Sequence, residues 1–215
     1  MQPLSHITEE ALAALRAAVS KEMVAGRLSH TFAVEEEAKE IAKWYLPQNI
    51  TEISAASLLH DITKECSPEK QIALCEHYGL ALSEAERASP KILHAKTAAA
   101  VIADRYPAFA SEQILDAVAK HTTGASEMSL FAKILYLSDY TEKTRTFPDC
   151  IRLREYFWGK SLELMTEEER IRHLDMTLLL SFEMTLADLA THGLPVAPDT
   201  RAAHDALAAK YSTKN

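Results

Sequence analysis

The chain has 215 residues, 47% hydrophobic and 25% charged, with a formal net charge of -8 at pH 7. Those values suit a soluble globular protein with a sizeable core and argue against general nucleic-acid binding, which needs a basic face; no apolar run approaches membrane-spanning length. Cys66, Cys75 and Cys150 form no CxxC and read as reduced thiols, and the N-terminus, with Glu9 and Glu10 and no apolar stretch after a basic start, does not read as a signal peptide, so the expectation is a cytoplasmic protein.

Only 5 glycines and 8 prolines suit a helical chain with few tight turns. Thr8-Glu9-Glu10 reads as a helix start with Leu12, Leu15, Val19 and Met23 on its inner face, and Gly26 as its end. Arg27 to Thr31 opens a second helix that stops at Pro47, and Thr51 begins a third that delivers His60 and Asp61. Ser67-Pro68-Glu69 opens a short helix ending near Gly79, and the polar stretch Leu82 to Pro90 reads as a loop or single turn, a place where a lid would sit. Further helices run from His94 to Tyr106, from Ser111 to His121 with Gly124 as a left-handed cap, and from Ser129 to Tyr140. Past Pro148, the run Tyr156-Phe157-Trp158 fits either a dimer patch or a buried corner. A long helix then starts with the capping box Thr166 to Glu169 and presents Leu174, Leu178 and Phe182 as a supporting face. No strand pair, repeat or linker divides the chain. One all-α domain over residues 1–215 is the economical architecture.

Positions three, four, seven and eight apart share a helix face. By that rule His30 lies with Val34, Ala38 and Ile41; His60 follows Ile53, Ala56 and Leu59; and His94 leads Thr97, Ala98 and Val101. His121 trails Ile114, Ala117 and Val118, and Asp139 trails Phe131, Ala132 and Leu135. A single histidine so placed is ordinarily a hydrogen-bonded core residue. Five helical patterns, each turning an imidazole or carboxylate toward the core, need a common partner, because burying such groups alone costs several kcal/mol each. Asp61, beside His60, is placed to bridge two ions. Imidazole and carboxylate without thiolate suit iron, manganese, cobalt, nickel or zinc in an open hydrolytic site. His6, His77, His173, His192 and His204 fall outside this ordered set and read as non-ligands.

The order His30, His60-Asp61, His94, His121, Asp139 resembles the HD-domain superfamily of metal-dependent phosphohydrolases, in the form with two extra histidines. More narrowly, Arg27-Leu28-Ser29-His30-Thr31, Leu59 to Lys64, Leu93-His94-Ala95, His121-Thr122-Thr123-Gly124, Ser138-Asp139-Tyr140 with Glu142 and Arg145, and the tail at Pro198-Asp199 resemble the YqeK family of symmetrical dinucleoside-tetraphosphate hydrolases. The resemblance is strongest from about Arg27 to Arg154 and implies an HD-type helical bundle, with a metal-binding core at about 27–154 and supporting C-terminal helices at about 155–215. It implies that His30, His60, Asp61 and Asp139 hold one ion, with His94, His121 and bridging Asp61 holding the other, and that the metal is iron. Two departures stand out. Ala125 and Ser126 replace a basic residue common after the turn glycine, and Thr141-Glu142-Lys143 replaces Ile-Glu-Pro, with Lys143 placed to compensate.

Two ions bring at least four positive charges against two ligand carboxylates, a local cationic pocket that favours polyphosphate. The expected reaction is attack by a metal-activated hydroxide, its pKa lowered from 15.7 toward roughly 7, on diadenosine tetraphosphate or a related dinucleoside polyphosphate, releasing ADP or GDP. Asp61, Lys64 and Arg145 are the candidate catalytic residues, the last two as a phosphate clamp. Arg27, Thr122 and Gly124 are further candidate substrate contacts, and Glu142 a candidate acceptor behind a ligand imidazole. Two other readings stay open: another HD-type nucleotide phosphohydrolase or phosphodiesterase, and a metal-dependent nucleotide-binding sensor.

Overall fold

The computed structural model describes residues 7–212, and among those residues eleven α-helices and no strand build the fold. Helix α1 (Glu9–Glu22) starts where Thr8 accepts a hydrogen bond from the Ala11 N–H, and it buries Leu12, Leu15 and Val19. It ends earlier than Gly26. Met23 and Val24 take extended backbone, which breaks the helix, and Gly26 lies in the first turn of α2 (Ala25–Tyr45). Leu46 and Pro47 end α2, and α3 (Ile50–Leu59) stops one residue before His60. His60 and Asp61 therefore sit in tight turns just past the helix. Those turns are closed by hydrogen bonds from Ile62 N to Leu59 O (3.2 Å), Lys64 N to Asp61 O (2.9 Å) and Cys66 N to Thr63 O (3.0 Å).

The remaining starts follow their caps. Ser67 caps α4 (Pro68–His77), and Ser83 with Glu86 forms a capping box on the single-turn α5 (Glu84–Ala88) inside the 82–90 segment, where Glu86 is buried against Lys96. Then come α6 (His94–Arg105), α7 (Glu112–Lys120), α8 (Leu130–Thr141), α9 (Pro148–Trp158), the long α10 (Glu167–Thr191) and α11 (Pro198–Ser212). The predicted box of Thr166 and Glu169 starts α10.

Helices α2, α3, α7 and α8 pack on one another and form the centre; α6 covers α7, α1 covers α3, and α10 lies against α8, α9 and α2. Phe157 is fully buried and stacks on Tyr45 and His173, while the Trp158 indole N–H donates to Glu37 (2.8 Å), so this run closes a corner of the core. Buried Asp175 of α10 accepts from Lys133 (2.6 Å), Lys210 (2.7 Å) and Tyr211 (2.8 Å), fastening α11 to α10 and α8. The three cysteines are unpaired, and no described helix is long and apolar enough to cross a membrane.

Gly124 ties this support to the centre. Its φ of +68° is the left-handed cap after α7, and a Cβ there would lie 2.6 Å from Phe182 Cζ of α10 and 3.0 Å from Ala203 Cβ of α11. Gly79 has nearly the same φ, +65°, with open space around it. Gly79→Ala is therefore expected to cost about 1 kcal/mol, from backbone strain alone, and Gly124→Ala about 3 kcal/mol, from strain plus overpacking, as read by urea denaturation.

Candidate metal centre

Four histidines reach one buried space because each is held from behind by the nitrogen that faces away from it. His60 follows the end of α3, His94 opens α6 and His121 caps α7, positions next to carbonyls that the helix leaves available. Their Nδ1 atoms lie 2.6 Å from Ser57 O, 2.6 Å from Lys91 O and 2.7 Å from Val118 O, in each case the carbonyl three residues earlier. A carbonyl only accepts, so each Nδ1 carries the proton and each Nε2 keeps its lone pair. In α2, His30 uses a carboxylate for the same purpose: its Nδ1 is 3.0 Å from Oε1 of fully buried Glu142, which also accepts from Thr144 N (2.5 Å) and Thr144 Oγ1 (2.7 Å).

The four Nε2 atoms meet around Asp61. Its Oδ2 is 3.7 Å from His30 and 3.6 Å from His60, while its Oδ1 is 3.3 Å from His94 and 3.5 Å from His121. Asp139 Oδ1 closes the first pair, 3.0 Å from His30 Nε2 and 4.0 Å from His60 Nε2. In the second pair the two Nε2 atoms are 3.1 Å apart.

Buried His30 Nε2, His60 Nε2 and Asp61 Oδ1 have no hydrogen-bond partner; the His30–Asp139 approach is an ion-pair contact without hydrogen-bond geometry. Converging bare lone pairs repel unless a cation lies between them. The separations suit ligands on ions at roughly 2.0–2.2 Å, and the ligand atoms of His30, His60 and Asp139, and of His60, Asp61 and His121, all fall within 4.8 Å of one another. The residues fit metal.

Electrostatics follow the same division. Burial pushes the His60 and His94 imidazoles down to about 4 and about 3. Burial works in the same direction on His30, but contacts with Asp139 and Glu142 outweigh it and raise His30 to about 9. Burial opposes ionisation of Asp61 and Asp139 too, yet the facing imidazoles and, at Asp139, the Arg145 guanidinium hold both carboxyls well below the usual range.

Three cations stand at the rim. Arg27 donates to Asp61 Oδ2 (2.7 Å) and Glu65 (3.1 Å), and Arg145 donates through Nη2 to Asp139 Oδ1 (2.5 Å) and through Nε to the Asp139 carbonyl (2.9 Å). Lys64 Nζ lies 3.0 Å from His94 Nε2, and burial lowers its pKa. Thr122 Oγ1 is 2.9 Å from the same nitrogen. The expectation that Gly124 offers its N–H to substrate is corrected: that N–H donates to Lys120 O (2.9 Å), and the residue is packed under Phe182, so its work is the turn. Lys143 is exposed, and Thr141, at the departure from Ile-Glu-Pro, buries its hydroxyl against Glu37 (2.8 Å).

Two supports escaped the sequence reading. Arg154 of α9 donates to the carbonyls of Thr141 (2.5 Å), Glu142 and Arg145 (2.9 Å), clamping the loop that carries Glu142 and Arg145. Buried Gln71 of α4 donates to Thr63 O (2.6 Å) and accepts from Thr97 (2.7 Å), while Thr63 donates to His94 O (3.0 Å). Backbone carbonyls are the targets in both, so no residue pattern announces them. Of the histidines outside the ordered set, His173 bonds Phe157 O (3.0 Å), and His77, His192 and His204 are not in the cluster; His6 lies outside the described residues.

Replacing Glu142 by Gln keeps the shape but removes the charge behind His30, and is expected to weaken metal binding roughly 10- to 100-fold in a chelator competition. Acid should also unfold the metal-free protein. His60 and His94 fold with pKa values near 4 and 3, below the ordinary 6.5, so the unfolded chain takes up protons first and their stability, complete above about pH 6.5, is lost as pH falls. His30, protonated in the fold up to about 9, offsets part of this. The net expectation is a loss of roughly 3 kcal/mol between pH 7 and 5, measured by urea denaturation in excess chelator.

Residues 27–144, which hold all six candidate ligands, match the HD domain family. The chain is 30% identical over 194 residues to the symmetrical bis(5'-nucleosyl)-tetraphosphatase of Bacillus subtilis, covering 89% of this chain and 92% of that one. It is 29% identical to the enzyme of the same name from Halalkalibacterium halodurans, covering 84% and 88%. Its fold is similar to a crystal structure from Clostridium acetobutylicum described as an HD superfamily hydrolase involved in NAD metabolism, with a TM-score of 0.77, 26% identity and 92% and 97% coverage. A cluster built on His60-Asp61, a match over more than half the chain and relatives aligned along most of it lead to one assignment: this chain belongs to the HD-domain family, with the relatives named symmetrical bis(5'-nucleosyl)-tetraphosphatases.

Proposed function

We propose that the protein hydrolyses dinucleoside tetraphosphates symmetrically at a pair of metal ions, with diadenosine tetraphosphate going to two ADP. The observation that carries this reading is the two-sided carboxylate of Asp61, each oxygen facing a separate pair of imidazoles. His30, His60, Asp61 and Asp139 would hold one ion, and His94, His121 and Asp61 the other. The family resemblance favours iron, and the donor set also suits manganese, cobalt, nickel or zinc. When bound, the ions would supply positive charge and a hydrolytic nucleophile at neutral pH.

The protein's own side chains supply the grip. Arg145 and Arg27 each spend donors on a ligand carboxylate, and a guanidinium has five, so N–H groups remain for phosphate oxygens. Lys64, on a flexible stem, and the Thr122 hydroxyl stand on the His94 side. Cations on both sides suit a tetraphosphate whose central bridge lies over the cluster. Water adds to one inner phosphorus, the central P–O bond breaks, and two nucleoside diphosphates leave. A diphosphate is a good leaving group, so the scheme needs no dedicated general acid, and none of the buried imidazoles is required to be one.

Incubating the metal-replete protein with diadenosine tetraphosphate and separating the products by anion exchange should give ADP alone. ATP with AMP would place the wrong phosphorus over the cluster, and absence of turnover would favour another nucleotide substrate. Asp61→Ala is expected to lose bound metal and turnover together; turnover by a metal-free Asp61→Ala protein would overturn the scheme.

A further inference from the structure

Next to the cluster lies a cavity of about 330 Å³, bounded by the turns after α3, the start of α4 and the short turn Pro90–Leu93 that leads into α6. Four of the residues that line it also hold or touch the candidate ligands. Arg27 donates to Asp61 Oδ2 (2.7 Å), and Lys64 Nζ lies 3.0 Å from His94 Nε2. The Lys91 carbonyl accepts from His94 Nδ1 (2.6 Å), and buried Gln71 donates to the carbonyl of Thr63 (2.6 Å), whose hydroxyl donates to the His94 carbonyl (3.0 Å). The cavity therefore adjoins the metal centre, and whatever fills it lies against the backbone that aims His94.

Its wall has two characters. Cys66, Pro68 and Pro90 offer carbon and sulfur surface, and neither proline has a backbone N–H to present. Arg27, Lys64 and Lys91 bring three positive charges against the one carboxylate of Glu65. Apolar surface beside surplus positive charge suits a ligand that is flat and weakly polar at one end and anionic at the other. Small-molecule sites commonly enclose about 300–1,000 Å³, so this cavity stands at the small end of the range: it has room for a base with its ribose and none for a whole dinucleotide. A lone phosphate would leave the prolines and the thiol uncovered.

We propose that this cavity binds the nucleoside of one half of the dinucleotide, an inference that rests on the nucleotide-hydrolase reading above. The base lies between Pro68 and Pro90 with Cys66 beside it, and Arg27 and Lys64 meet the phosphates where they cross to the cluster. A symmetrical substrate is thus held asymmetrically, with one nucleoside enclosed against the elements that fix His94.

Cys66 provides the test. It lines the cavity and is half-buried, whereas Cys75 and Cys150 are buried, so alkylation by iodoacetamide, located by peptide mass spectrometry, reports on this wall. In the metal-replete protein, ADP at about ten times its Kd is expected to slow alkylation of Cys66 roughly tenfold by mass action. Inorganic pyrophosphate, which carries the phosphates without a nucleoside, is expected to leave the rate unchanged. Cys66→Trp, which fills the cavity, should raise KM for diadenosine tetraphosphate roughly tenfold while elemental analysis finds the bound metal unchanged. Equal protection by pyrophosphate and ADP, no protection by ADP, or an unmoved KM in Cys66→Trp would overturn the proposal. The labelling needs no substitution, so it decides the matter if Cys66→Trp fails to fold. ADP binding is read without turnover: protection of Cys66 in a protein that does not cleave the tetraphosphate would keep the cavity's role and remove the reaction, and symmetrical cleavage with Cys66 unprotected would do the reverse.

Discussion

Four imidazole nitrogens and two carboxylates share a buried space without protein partners for all of them, and the rest of the molecule is arranged around that constraint. An isolated buried donor or acceptor costs of order 1–3 kcal/mol, and an isolated buried charge more, so the arrangement is stable only with cations inside it. In the metal-free state His30, raised to about 9 between Asp139 and Glu142, supplies one such charge as a proton. Arg27 and Arg145 supply two more from the rim, each on a ligand carboxylate.

The groups behind the converging imidazoles are mostly backbone carbonyls. Three histidines donate to the carbonyl three residues earlier, a bond available only where a helix begins or ends, and that requirement explains why His60, His94 and His121 all lie at helix ends. Arg154 in turn secures the carbonyls around Glu142, the one charged group behind a ligand imidazole. The C-terminal helices reach the same centre through Gly124, where Phe182 and Ala203 leave no space for a side chain. Helices α10 and α11 thus support the turn that carries His121 as well as covering apolar surface.

Most of the helices and all six candidate ligands were legible in the sequence, because apolar periodicity, proline stops and serine or threonine caps are local signals. The misses have local reasons as well. Gly26 looked like a stop, but extended Met23 and Val24 had already broken the chain and the glycine was free to enter the next helix. Gly124 looked available to a ligand, but its N–H was committed to Lys120 O by the same cap that the sequence predicted.

By itself, then, the sequence determined the helices and which polar residues would have to be buried, since those follow from spacing along one chain. Tertiary structure alone decided that the two oxygens of Asp61 face different histidine pairs, that Arg154 clamps a loop, and that Lys133 and Lys210 converge on the one carboxylate of Asp175. Each of these depends on distances between elements remote in sequence, and such distances are set by how helix faces pack, which no local pattern encodes.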